Sequence, residues 1–147
     1  MGNFFGTYER ALDSKNRLLL PSKLMGQMPL RLYLLRGFEG AISLYEEDAF
    51  EAYIDKLKGF SSFDQNARAF LRLALGSVVP LELDKQGRIT LPTEIKNRYK
   101  IGNEVVILGL LDHLEIFDKE AYAEYLSKEE GRFEEIAALL EGGNSHE

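Results

Sequence analysis

Leu12-Asp13-Ser14-Lys15-Asn16-Arg17-Leu18-Leu19-Leu20-Pro21 returns 71 residues later as Leu83-Asp84-Lys85-Gln86-Gly87-Arg88-Ile89-Thr90-Leu91-Pro92. The shared pattern is apolar-Asp-x-x-x-Arg-apolar-x-Leu-Pro. After a slip of one residue the offset becomes 72: Ile42-Ser43-Leu44-Tyr45-Glu46 matches Leu114-Glu115-Ile116-Phe117-Asp118. Ala49-Phe50 then matches Ala121-Tyr122, and Tyr53-Ile54 matches Tyr125-Leu126. The copies span 7–54 and 80–126. A solenoid needs about three copies to be stable, so two copies predict a pseudo-twofold unit with one shared core.

Each copy reads with the same local grammar, and the fold class expected is α+β. A strand (7–12 or 78–83) leads into a turn (13–16 or 84–87) and a second strand (17–20 or 88–91). Pro21 and Pro92 end that strand, because proline withdraws a ladder donor. A short basic helical turn, an apolar run (30–35 or 104–108) and a strand of period-two alternation (42–45 or 114–117) follow. An amphipathic helix closes each copy. In the first, Phe50, Tyr53, Ile54 and Leu57 share a face, and Glu46, Glu47 and Asp48 crowd the start, where the helix dipole favours acids. In the second, Asp118 is placed to cap, with Tyr122, Tyr125 and Leu126 facing inward.

Outside the repeat, 55–79 is a linking region. Its helix starts at a capping Asp64, carries Phe70, Leu71 and Ala74 on one stripe and stops at Gly76. The segment 127–147 should hold a helix over 128–141, with Phe133, Ile136, Ala137 and Leu140 on one face, and a fraying tail from Gly142. That stripe is expected to pack on its own chain or on a neighbouring subunit. Tyr33, Phe38, Tyr45, Phe50 and Phe117 follow strand or helix spacing and are expected in the core.

With 147 residues, 45% apolar and 29% charged, the chain has the balance of a globular domain. It has no cysteine, which excludes a disulfide scaffold and thiolate metal sites. Two histidines, His113 and His146, are too few for a histidine-rich metal centre. No apolar run approaches the ~18 residues of a membrane span, and the start lacks a signal peptide's features. The expected product is soluble and intracellular, with no cofactor, membrane partner or small-molecule substrate.

Net charge is −6, but its distribution matters more than its total. Between positions 7 and 36, Arg10, Lys15, Arg17, Lys23, Arg31 and Arg36 face only Glu9 and Asp13, a local +4. Between 85 and 100, Lys85, Arg88, Lys96, Arg98 and Lys100 face only Glu94, again +4. From 112 onward eleven acids face three bases, or −8. Two separate basic segments in an acidic chain suggest a polyanion partner.

The turns account for part of the motif without any function. An aspartate opening a turn accepts backbone hydrogen bonds two residues on, and Gly87 and Asn16 suit a positive φ. Asp13, Asn16, Asp84 and Gly87 are therefore expected to structure the turns. The cations invite a second role. Lys15 and Arg17, two apart, share a side on an extended strand. Lys85 precedes Arg88 across the other turn. A pseudo-twofold would place both turns on one edge of a barrel, as a doubled cationic ridge. A β-ribbon fits the DNA major groove, where arginine bonds guanine O6 and N7 together. Lys15, Arg17, Lys85, Arg88 and Arg10 are the candidate contacts to double-stranded DNA.

At these residues the chain resembles the bacterial MraZ family of transcriptional regulators, built from two SpoVT/AbrB-type segments. The resemblance runs from about Phe4 to Leu126. It rests on the doubled Asp-x-x-x-Arg with its Leu-Pro, on Leu108-Gly109-Leu110-Leu111-Asp112-His113-Leu114-Glu115-Ile116-Phe117, and on the spacing between them. It implies a swapped-hairpin-type β-barrel with peripheral helices and ring-like homo-oligomers. It further implies repression at short direct repeats upstream of the division and cell-wall gene cluster, including the regulator's own gene, in the cytoplasm at the nucleoid. The family's contact motif maps onto 13–17 and 84–88. Asn16 departs from the usual glycine, and Gln86 lowers the charge of the second copy.

The sequence leaves two other readings open. Two aspartates in pseudo-symmetric turns also suit the shared proton of an acid-protease dyad, although Lys15 and Gln86 stand where that motif needs glycine. An AbrB-like antitoxin would wrap a toxin with its acidic tail. No nucleophile elbow, P-loop or zinc-helix motif is present. His113, in a loop or strand start, reads as packing rather than catalysis. Arg68 and Arg72, one turn apart on the linking helix, are expected to pair with subunit acids.

Overall fold

The computed structural model describes residues 3–22 and 31–144. Eight strands form: β1 (Thr7–Ala11), β2 (Arg17–Leu19), β3 (Arg31–Arg36), β4 (Ile42–Tyr45), β5 (Val79–Glu82), β6 (Arg88–Thr90), β7 (Glu104–Gly109) and β8 (His113–Asp118). Five helices lie among the described residues: α1 (Glu47–Leu57), α2 (Gln65–Leu75), α3 (Thr93–Arg98), α4 (Lys119–Glu129) and α5 (Phe133–Asn144), with a 3-10 turn at Glu130–Arg132. Lys23, most of the first copy's basic helical turn, and His146 in the tail lie outside the described residues. The helix expected over 128–141 is instead divided by the 3-10 turn, and α5 continues through Gly142 and Gly143.

The strands make a six-stranded antiparallel sheet in the order β1-β7-β8-β4-β3-β5, and a separate two-stranded ribbon, β2-β6. That order is a palindrome of the repeat. The first strand of each copy pairs with the third strand of the other, β1 with β7 and β5 with β3, and β8 meets β4 at the centre. The copies are thus interleaved rather than juxtaposed.

The expected barrel does not close. β1 and β5 end the sheet, and among the described residues no ladder joins either to the ribbon. The reason lies in the turns: past Asp13 and Asp84 each copy leaves the line of its first strand, and β2 and β6 pair with each other. Pro80, which has no N–H to donate, sits on the edge strand β5.

The ribbon instead lids one face of the sheet. Its Leu18, Leu20, Ile89 and Leu91 are sealed into a core with Leu32, Leu34, Ile42, Leu44, Val105, Ile107, Leu114 and Ile116. Alternation sets this: Leu18 and Ile89 point in, and their strand neighbours point out. On the opposite face α1 covers the first copy, with Leu35, Tyr45 and Ala49 buried against Phe50 and Tyr53. Tyr33 stacks on Phe50, ring centres 4.3 Å apart.

Asp64 caps α2 by accepting the Asn66 and Ala67 amides at 2.7 and 3.2 Å, and Asp118 caps α4 through the Ala121 amide at 3.2 Å. Phe38 departs from the expected core: it is 61% exposed, with Phe70 stacked beside it. It stands in the β3–β4 connection, where strand alternation no longer applies. The α5 stripe also fails to pack on its own chain. Phe133 is 77% exposed and Leu140 65%, because the helix runs on past the 3-10 turn with no strand beneath it.

Candidate nucleic-acid interface

The two Asp-x-x-x-Arg turns have nearly the same hydrogen bonds. Asp13 Oδ1 accepts the amides of Lys15 at 2.9 Å and Arg17 at 2.8 Å. Asp84 Oδ1 accepts those of Gln86 and Arg88, both at 2.9 Å. The remaining oxygen takes the arginine Nε, at 2.6 Å for Arg17 and 2.8 Å for Arg88. Each turn closes with a main-chain bond of 3.0 Å, from Asn16 to the Asp13 carbonyl or from Gly87 to the Asp84 carbonyl. Asn16 has φ +59° and Gly87 +80°, the left-handed region.

These bonds hold the carboxyls ionised. The Arg17 amide, helped by its guanidinium and the Lys15 amide, outweighs partial desolvation and lowers the Asp13 pKa to about 2. The Arg88 amide and guanidinium lower Asp84 in the same way. A proton-sharing dyad needs one carboxyl pushed upward instead. Each aspartate here is committed to its own turn.

The ribbon register places the arginines. Arg17 lies opposite Thr90, and Leu19 opposite Arg88. Arg17, Leu19, Arg88 and Thr90 therefore share the outward face, and Leu18 and Ile89 the inward one. The arginines are diagonal neighbours two residues apart along the ribbon, about 7 Å by strand rise. They are neither buried nor on opposite sides: their side chains are 32% and 26% exposed. In each, Nε is the nitrogen that bonds within the described residues, and neither Nη group has a hydrogen-bond partner there.

Lys15 and Lys85 are exposed and have no carboxylate partner among the described residues. Lys15 sits in the turn rather than on β2, so strand alternation does not set its direction. Arg10 is not brought to the ribbon. It lies on β1, donates to the Glu9 carbonyl at 2.9 Å and rests 5.8 Å from the centre of the Tyr8 ring.

One participant that the sequence did not flag is Lys96 on α3. It reaches the first turn with its Nζ 3.0 Å from Asn16 Oδ1. Sequence offered only its membership of a basic segment.

His113 is structural in its contacts. Its Nδ1 lies 2.8 Å from Asp112 Oδ1, and its ring stacks on Tyr45 at 4.7 Å. Burial alone would lower its pKa; the nearby Glu115 and Asp112 carboxylates outweigh that and raise it. Arg68 donates to the Ser62 carbonyl at 2.9 Å, and neither it nor Arg72 pairs with an acid among the described residues. Those residues hold no His/Asp/Glu group suited to a metal ion, and no helix long and apolar enough to cross a membrane.

Fold and site together define a class: duplicated, interleaved α+β proteins that display a pair of aspartate-oriented arginines on a two-stranded ribbon. Residues 3–73 and 75–141 each match one family model, described as "MraZ protein, putative antitoxin-like". The chain belongs to the MraZ family. It is 36% identical to the transcriptional regulator MraZ of Mesoplasma florum over 95% of this chain and 97% of that protein. It is 34% identical to the MraZ of Caldanaerobacter subterraneus subsp. tengcongensis over the same shares. To that of Thermoanaerobacter pseudethanolicus it is 35% identical, over 92% and 95%. The family is one of non-enzymatic transcriptional regulators.

Proposed function

We propose that this chain is a sequence-specific repressor that binds double-stranded DNA through the two ribbon arginines. The observation that carries the reading is their common outward face, with each guanidinium fixed at Nε and open at both Nη. A fork so held is preset for bidentate contact with guanine O6 and N7, at little cost in side-chain entropy. Lys15 and Lys85 flank the forks as phosphate contacts, and Arg10 adds to the field from β1. Asp13, Asn16, Asp84 and Gly87 hold the turns that aim them. The targets are short direct repeats upstream of the division and cell-wall gene cluster, including the chain's own gene. The site of action is the cytoplasm, at the nucleoid.

One subunit offers few cations, and each neutralised phosphate adds modestly to affinity. A ring-like homo-oligomer of swapped-hairpin halves, with repeats 7–54 and 80–126 as its recognition units, gains by presenting several ribbons to spaced DNA repeats. The surplus acids of segment 127–147 then keep DNA away from that part of the surface.

The test is an electrophoretic shift on the DNA upstream of the chain's own gene, titrated with salt. Wild type should give ladders that depend on the repeats and vanish steeply as salt rises. Lys15→Ala with Arg17→Ala should lose at least about tenfold in affinity and flatten the salt slope. An unchanged affinity and slope in that variant would overturn the reading.

The exposed α5 stripe favours a second reading, an antitoxin-like module that holds a protein partner there. A stable small partner co-purifying from the native host, and lost with Phe133→Ser, would support it.

A further inference from the structure

The brace on the first turn comes from the other repeat. Lys96 Nζ donates to Asn16 Oδ1 and to Asn103 Oδ1, both at 3.0 Å. Asn16 Nδ2 donates to Thr93 Oγ1 at 3.2 Å, so α3 grips the Asn16 amide at both ends. Asn103 in turn accepts the Leu12 amide through its main-chain carbonyl at 2.7 Å. Lys96 thus spans the hairpin, from Asn16 at its tip to the segment that holds Leu12 at its base.

Asn16 has a particular need for such a brace. It sits at φ +59°, where a side chain meets a steric penalty that glycine does not incur. Gly87 fills the equivalent place in the second turn without any side chain to secure. The acceptors around Lys96 are neutral amides, and no carboxylate among the described residues pairs with it. Its charge therefore stays in the local field while its N–H groups do mechanical work.

We propose that Lys96 is a positioning residue for DNA recognition, acting through Asn16 to hold the first turn in the geometry that aims Arg17. This rests on the reading of the ribbon as the DNA contact. The departure from glycine at Asn16 is then compensated by a lysine 80 residues away, and the second repeat sets the recognition geometry of the first.

Four proteins test it: wild type, Lys96→Met, Asn16→Gly and the double variant. The probe is the duplex upstream of the chain's own gene, with affinity measured across a salt series. Hydrogen exchange at the Arg17 and Leu91 amides, which bond to Asp13 Oδ1 and the Asn16 carbonyl, is followed without DNA. Lys96→Met should lose about tenfold in affinity, the scale of a charge-assisted hydrogen bond, and keep its salt slope. The same two amides should exchange faster. In the Asn16→Gly background the added Lys96→Met should change affinity by less than about threefold, since the group it braces is gone.

The proposal is overturned if Lys96→Met leaves affinity and exchange unaltered. It is equally overturned if the loss persists with Asn16→Gly and the salt slope drops by about 0.9, because Lys96 would then touch phosphate itself. If wild type binds no DNA, the recognition reading fails separately, and exchange alone decides whether Lys96 orders the turn.

Discussion

Asp13 does three jobs with two oxygens: it shapes the turn, orients Arg17, and stays ionised while doing so. With its pKa held at about 2 against an ordinary 3.8, the carboxylate stabilises the fold at every pH above about 4. That contribution fades as pH falls through the folded-state value. Melting temperature should therefore decline between about pH 4 and pH 2, with Asp84 contributing in the same direction. Asp13→Asn should be less stable at neutral pH and show a shallower acid decline; an unchanged acid limb in thermal melts would refute the role. This much was legible in sequence, because an Asx turn and a positive-φ position follow from bonds that reach only two to four residues. Lys96 was not. Its partner at Asn16 lies far away in the chain, and no local rule links a lysine in one repeat to an asparagine in the other.

Helices and strands followed local periodicity, and the departures have tertiary causes. The apolar spacing of Phe133, Ile136, Ala137 and Leu140 matches that of a buried helix face, yet α5 has no sheet behind it. Phe38 obeys no strand alternation once the chain has left β3. Glycine placement shows the converse, a residue whose reason lies entirely in a neighbouring element. A methyl at Gly109 on β7 would sit 2.5 Å from the Phe5 nitrogen and 2.7 Å from the Phe4 carbonyl carbon. The Phe4–Leu111 bridge and the buried Phe4 ring depend on that close approach. Gly109→Ala should cost about 1–3 kcal/mol in denaturant unfolding and release residues 4–6 to early proteolysis. Unchanged stability would mean that the amino-terminal segment contributes little to the core.

Across the whole molecule, acid and base are segregated: the two turns beside the ribbon carry Lys15 and Lys85, without a carboxylate partner among the described residues, and the carboxy-terminal segment carries the surplus acids. The stripe on α5 is an exposed apolar surface of the kind that marks an interface. If the homo-oligomer proposed above uses this stripe, Phe133→Ser with Leu140→Ser should leave the monomer fold intact, since both side chains are largely exposed, and reduce the mass seen in light scattering. A wild-type mass in the double variant would exclude α5 from the proposed subunit contact.

Repeat, turn chemistry, helix caps and the basic segments could all be read along the chain, since each arises from interactions within a few residues. The pairing of β1 with β7 and β5 with β3, the unclosed sheet and the lysine brace could not. Those depend on which edges meet once both copies share one core, and many strand partners satisfy the same apolar alternation until packing selects among them.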